Sequence, residues 1–288
     1  MRVLWDSLQS TTFRWAVVEA MLVGAIGGVV GVHVLLRRLP FFVVAMSHAM
    51  FPGVVLASVL GISLFVGGAS FGLVVVLAIT AIGASRVLDQ SSAIGVVLAG
   101  AFAVGVLVLS AQPGSSRDLS AFLVGSILTV TPGDVAATVV GGGLVLVVLG
   151  AVHKELVASA FDPAGSAALG YPVRRLDTLV LAAVTVTMAT TIPATGTLLS
   201  VALLTVPALT ARLWTERVGT MMLVAAAIGA ASGLLGLVAS TLWRVAAGGA
   251  IGLAAAALFS VYLLVTSRRS SAATTTGVRA RLPLRRSA

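Results

Sequence analysis

Ser47-His48-Ala49-Met50-Phe51-Pro52-Gly53-Val54-Val55-Leu56-Ala57 places an imidazole inside a run apolar enough to cross a bilayer, four residues ahead of a proline. Ionisable groups at membrane depth are costly, and those that persist usually border a path for ions or protons. Pro52 has no N–H to offer the carbonyl of His48, and its ring crowds that oxygen. Irregular backbone at such depth is tolerated where protein buries it or water lines it. With Gly53 behind the proline, the stretch reads as a broken membrane helix carrying a metal-ligating side chain, His48, at the break. That combination points to transport.

The rest of the chain has the same character. It is 59% hydrophobic and 9% charged, against about 25% charged in a soluble domain. The fold class is therefore an all-α integral membrane protein, a polytopic bundle of about 8-9 transmembrane helices, some of them broken. A spanning helix needs about 20 mostly apolar residues. Nine segments qualify: 14–36, 41–65, 69–86, 92–110, 135–152, 177–193, 196–213, 219–242 and 247–267. Apolar runs recur too often, and begin too early, for a single signal peptide, and no cleavable leader is expected.

Orientation follows from the connections. With the N-terminus outside, 14 of the 18 basic residues fall on the cytoplasmic side and 4 (Arg2, Arg14, Arg117 and Arg244) on the outer side, as the positive-inside bias requires. The chain then divides into an extracytoplasmic segment 1–13, a membrane domain 14–267 and a basic tail 268–288, rich in Ser, Thr and Arg and expected to be disordered. A solvated tail is expected, with contact of its arginines to anionic membrane lipid as the alternative. The net charge of +9 is spread between apolar spans, so membrane topology accounts for it and nucleic acid does not.

Two connections are long. Residues 111–134, outside, contain Asp118 at the start of a short predicted helix. Residues 153–176, inside, contain Asp162-Pro163, an N-cap followed by proline at the first helical position, and then Gly170 and Pro172 as a stop. A one- to two-turn helix is expected there, a rigid knob suited to docking a partner.

Three ionisable residues fall within spans. Glu19 lies about one turn inside the outer end of the first span, within reach of headgroups or water, and a structural role is expected. His33, one turn before Arg37, reads as interfacial. His48 is the candidate pathway residue. Further helix breaks are expected at Pro193 with Gly196 and at Pro207, among Thr185, Thr187, Thr190, Thr191, Thr195, Thr197, Ser200 and Thr205. These hydroxyls either satisfy freed carbonyls or line a hydrated path. No cysteine is present, so His, Asp, Glu and main-chain oxygens remain as metal ligands. There is no G-x-x-x-x-G-K-[ST] loop and Lys154 is the only lysine, so the chain is not an enzyme that hydrolyses nucleotide by that route.

Several segments together resemble the permease subunits of the bacterial ABC-3 family, ATP-driven importers of zinc, manganese or iron. They are Val34–Leu39 running into Ser47–Ala57, Ser92–Gly95, Lys154-Glu155, Phe161-Asp162-Pro163, Ala168-Leu169-Gly170 with Pro172-Val173, and Leu198–Arg212. The likeness runs in order from about residue 14 to 266. It implies a type II importer-like permease fold, a homodimer or paired permeases around a central path, and a separate cytoplasmic ATPase dimer. That ATPase would dock on a loop including Glu155, Phe161, Asp162, Pro163, Ala168 and Gly170. It also implies an extracytoplasmic metal-binding protein that delivers the ion, and a bacterial plasma-membrane location.

In the family, the histidine matching His48 and an aspartate one turn earlier line the metal path. Here that earlier position is Val44, and the acidic residues usual before Ala93-Ile94-Gly95 are partly replaced by Gln90 and Ser91, leaving Asp89. Imidazole suits zinc, copper, iron and nickel, whereas manganese favours oxygen ligands. Losing a carboxylate while keeping an imidazole therefore tilts the expected cargo toward zinc, with manganese and iron behind it. A permease for metal chelates or cobalamin-like cofactors, and a stand-alone proton-coupled carrier, are the alternatives.

Overall fold

The computed structural model describes residues 10–83, 90–110, 125 and 127–278. Among them the chain is helical throughout, with no strand: α1 (Thr11–Leu36), α2 (Pro40–Ala49), α3 (Phe51–Leu60), α4 (Leu64–Ile82), α5 (Gln90–Ser110), a 3-10 turn at Ile127–Thr129, α6 (Pro132–Ala151), α7 (His153–Phe161), α8 (Pro163–Ala168), α9 (Val173–Arg212), α10 (Val218–Trp243) and α11 (Ala247–Val278). Local chemistry sets the ends. The Ser10 hydroxyl accepts from the Phe13 N–H to start α1, and Thr131 and Asp134 form a reciprocal capping box ahead of α6, satisfying donors that a helix leaves orphaned.

Glycine decides which helices touch. A side chain on Gly24 or Gly28 of α1 would collide with the backbone of Gly229 or Ala225 on α10, and one on Gly233 with that of Ala20. On the other side of α1, Gly27 and Gly31 face the carbonyls of Leu203 and Leu204 on α9. Small residues at helical spacing let membrane helices approach backbone to backbone, so α1 is wedged between α10 and the second half of α9. Leu223, Leu253 and Leu264 on α10 and α11 are exposed on the rim, where lipid is their solvent.

Eight of these helices, counting α2 and α3 as one, are long and apolar enough to cross a membrane. The forty-residue α9 would be about 60 Å long if straight, twice a hydrocarbon core. It is not straight. Gly196 has φ 79° and ψ 169° inside it, a combination essentially confined to glycine.

The first leg of α9 starts beside Arg37, whose side chain binds Asp177. It climbs past Thr190, against Gly141, to Thr195 and Gly196, against Gly125. The second leg descends along α1, from Leu199 clustered with Phe13 and Ala16, past Leu203 at Gly27, to Ala208 and Ala211 clustered with Val32. The helix thus reverses at Gly196, and both its outer ends lie at the Arg37 end of the molecule. Counting this helix as two legs, eight helices make nine passes.

The expected spans 177–193 and 196–213 correspond to these two legs. α10 then returns toward Phe13, with Gly229 at Gly24 and Gly233 at Ala20. α11 starts there with Ala247 and Ile251 and reaches the Arg37 end, where the Tyr262 ring lies 5.2 Å from Trp214. The start of α1 and Tyr262 of α11 therefore lie at opposite ends of the bundle. α11 continues to Val278, past the expected span end at 267. The remainder of the basic tail, from 279, lies outside the described residues.

Candidate functional site

His48 sits in the last turn of α2, midway along the pass formed by α2 and α3. The two helices are divided at Met50, which keeps right-handed helical angles (φ −78°, ψ −13°). The break at Pro52 is thus a one-residue interruption, not an unwound stretch. Phe51 and Pro52 rest on Gly105 of α5, where a side chain would meet both. Gly53, expected to weaken the helix, lies within α3 and serves as a contact, its backbone against Gly67 of α4.

The exposed face of α2 carries Phe41, Val44 and the half-buried His48, at the i, i+3, i+7 spacing of one helix stripe. The His48 ring meets Phe102 of α5 edge to face at 6.5 Å, and Phe102 is itself exposed. Ser47 takes no part in this face; it is buried, and its hydroxyl donates to the Val44 carbonyl at 2.8 Å. The imidazole therefore stands midway along the pass formed by α2 and α3, on an apolar face that is open in this chain. Among the described residues no carboxylate shares its stripe of α2, and no group of three or more His, Cys, Asp or Glu gathers anywhere. Asp89 and Asp118 lie outside the described residues.

The hydroxyls around the α9 reversal are buried and turned inward. Thr185 donates to the Leu181 carbonyl, Thr187 to Ala183, Thr195 to Thr191 and Ser200 to Gly196. Thr191 also reaches Ser200 across the turn at 3.2 Å. These bonds satisfy and clamp the reversal, which favours the structural reading over a hydrated path. The carbonyl that Pro207 cannot serve, that of Leu203, faces Gly27. Pro193 lies in the last turn before the reversal.

At the Arg37 end, the connection 153–176 contains two helices. α8 was expected: Asp162 is its N-cap, accepting from the Gly165 N–H at 2.8 Å, and Pro163 opens it. After Ala168 the chain closes in a Schellman motif. Gly170 is left-handed (φ 87°), its N–H bonded to Ala167 and that of Tyr171 to Ser166. α7, carrying Glu155 in its first turn, was not expected from the sequence. The pair presents Phe161 at 62% and Leu169 at 80% exposure, two apolar side chains on a braced knob.

Sequence reasoning missed what braces it. Arg37 donates from Nε to Asp177 at 3.0 Å, and from Nη2 to the Leu156 carbonyl at 3.1 Å and the Ser159 hydroxyl at 3.0 Å. One side chain thus ties α1, α7 and α9 together. Beside it, Arg37, Arg38, Ser159, Pro163 and Asp177 border a cavity of about 270 Å³.

Two expectations for ionisable residues are corrected. Glu19 does not reach headgroups or water. It is fully buried, and its Oε1 accepts from the Thr138 hydroxyl at 2.7 Å. His33 is not interfacial but fully buried, its ring 6.2 Å from that of His153.

The profile of the ABC 3 transport family matches residues 9–266. The chain is 35% identical over 254 residues to the manganese import system permease protein ScaB of Streptococcus gordonii, covering 88% of this chain and 91% of that one. It is 34% identical to the manganese transport system membrane protein MntC of Halalkalibacterium halodurans, over 89% and 88% of the two chains. Among solved structures, PsaBC from Streptococcus pneumoniae in complex with Fab superposes with a TM-score of 0.81 at 31% identity, over 91% of this chain and 94% of that chain. A putative metal-chelate type ABC transporter in an inward-facing conformation shares the fold, with a TM-score of 0.70 at 21% identity over 88% and 85% of the two chains. With a polytopic helical bundle, an open apolar face bearing an imidazole and a braced surface knob already described, these matches identify the chain as a member of the ABC 3 transport family, a permease subunit of an ABC importer for metal.

Proposed function

We propose that this permease carries a divalent first-row transition metal into the cytoplasm, manganese in the first place, along the face of α2 that bears His48. The two relatives reported above are named for manganese, which supports that cargo over the zinc expected from the sequence. The single observation that carries the pathway is the half-buried imidazole at mid-depth on an otherwise apolar, open face. A second permease, identical in a homodimer, closes that face, so that two imidazoles border the path. A zinc reading keeps one specific support: Val44, not a carboxylate, shares the stripe, and imidazole without oxygen ligands favours zinc over manganese.

The Arg37 end is cytoplasmic in this reading. Arg37, Arg38, Lys154, Arg174, Arg175, Arg212 and Arg217 gather there, against Arg14 and Arg244 at the other end, in line with the positive-inside bias. A separate ATPase dimer docks on α8 through Phe161 and Leu169, and a metal-binding protein delivers the ion at the opposite face. Nucleotide-driven movement of the ATPases, passed through α7 and Arg37 into α1 and α9, switches the path between its two openings.

The test is metal uptake by vesicles of the complete assembly. ATP-dependent uptake of manganese is expected, and His48→Ala should abolish it while dimer and ATPase still co-purify. Undiminished uptake by that variant removes His48 from the path, and preferential uptake of zinc overturns the choice of ion.

A further inference from the structure

His33 presents an anomaly that transport along the His48 face leaves unexplained. Its side chain is fully buried, yet neither ring nitrogen has a hydrogen-bond partner. A buried polar atom without a partner is rare and calls for an explanation such as a bound water or ion. Its neighbour is the ring of His153, first residue of α7, half-exposed, 6.2 Å away and nearly perpendicular at 83°. Arg37, one turn beyond His33, also has a buried atom without a partner, its Nη1, and its charge is offset by Asp177 at 3.0 Å.

We propose that His33 and His153 form a transition-metal site on the cytoplasmic side of the bundle, selective for ions that prefer nitrogen, such as zinc, nickel or copper, and bridging α1 to α7. Metal–nitrogen bonds of about 2.0–2.1 Å put the centroids of two imidazoles on one four-coordinate ion about 5 Å apart, so from 6.2 Å the freer ring, His153, must turn and close by about 1 Å. Among the described residues no third His, Cys, Asp or Glu joins the pair, so water completes the coordination. Two protein ligands make a weak site, filled when the ion is abundant at that face and empty otherwise. Imidazole favours zinc and copper over manganese, so the site answers to ions other than the one proposed as cargo.

Its position gives the binding a consequence. α7 leads into the docking helix α8, and an ion shared by His33 and His153 fixes α7 on α1. Resting on the transport reading above, this is a brake: nitrogen-preferring metal at the cytoplasmic face slows coupling between the ATPase and the bundle.

The binding itself is testable without transport. The chain has three histidines, so His48→Ala leaves only this pair. Copper(II) added to the purified full-length His48→Ala permease should give an electron paramagnetic resonance spectrum with two imidazole nitrogens. Zinc should displace the copper, and manganese at equal concentration should not. Adding His153→Ala, at a half-exposed helix start, should remove the two-nitrogen signal with the melting temperature unchanged; His33→Ala should do the same if that variant folds. A spectrum with no imidazole or only one in the starting protein, a two-nitrogen signal that survives His153→Ala, or equal displacement by manganese overturns the site. If binding holds but zinc leaves ATPase stimulation unchanged in the assembled importer, the site stands and the brake falls.

Discussion

Arg37 Nε and Asp177 Oδ1 lie 3.0 Å apart although 140 residues separate them in the chain. The arginine is almost fully buried, at 6% exposure, and the aspartate is half exposed, at 44%. The same guanidinium also holds the middle and last turn of α7 through Leu156 and Ser159.

Arg37→Ala should therefore lower stability by about 1–3 kcal/mol, less than a fully buried pair would, because Asp177 can hydrate once alone. Asp177→Asn keeps an acceptor oxygen and should cost under about 1 kcal/mol. Thermal melting of the purified permease checks the order of the two. ATPase stimulation should fall in Arg37→Ala even at temperatures where the variant is folded, because α7 has lost its tie to α1.

Gly196 and Gly170 both have positive φ, yet substitution should affect them unequally. At Gly170 (φ 87°) a Cβ meets nothing within 4 Å, so Gly170→Ala should cost about 1–2 kcal/mol of left-handed strain. At Gly196 the angles lie in a region closed to other residues, and the reversal is packed against Gly125. Gly196→Ala should cost about 3 kcal/mol or more and yield protein that fails to elute as a single species. Equal melting temperatures for the two variants would contradict the reversal.

Val44→Asp would set a carboxylate one turn before His48 on the same stripe. An added oxygen ligand should raise preference for manganese over zinc in competition uptake, with the direction reading out whether this face meets the ion. An unchanged ratio, with uptake intact, would mean that the ion passes elsewhere.

Leu169→Glu, at the more exposed of the two apolar side chains on the α7–α8 knob, should leave melting of the isolated permease within about 0.5 kcal/mol of the parent and, if the proposed docking holds, weaken co-purification of the ATPase. Lost stability with retained ATPase would assign the residue a packing role instead.

Much of this architecture was legible in the sequence, for physical reasons. Apolar length reveals passes directly, and Asp162-Pro163 with Gly170 announced α8 through cap chemistry. The break at Pro193–Gly196 was visible as a gap between two spans. That it reverses the chain in a single residue was not visible, because a glycine in a sequence carries no angle. Long-range pairing was hidden for a similar reason: Arg37 reads as a topology signal until Asp177 is beside it. Glu19 and His33 were placed too near water, since position along a span fixes depth but not which side faces Thr138 or His153. His48 itself was singled out by its proline, and the apolar face around it needed the fold.

Because the backbone doubles back at Gly196, Phe13 at the start of α1 and Tyr262 on α11 sit at opposite ends of the bundle. Without that reversal the bundle would hold one traverse fewer, and α10 and α11 would meet α1 with their directions inverted. The interlocking of Gly24 with Gly229 and of Ala20 with Gly233 therefore depends on one residue far from either pair.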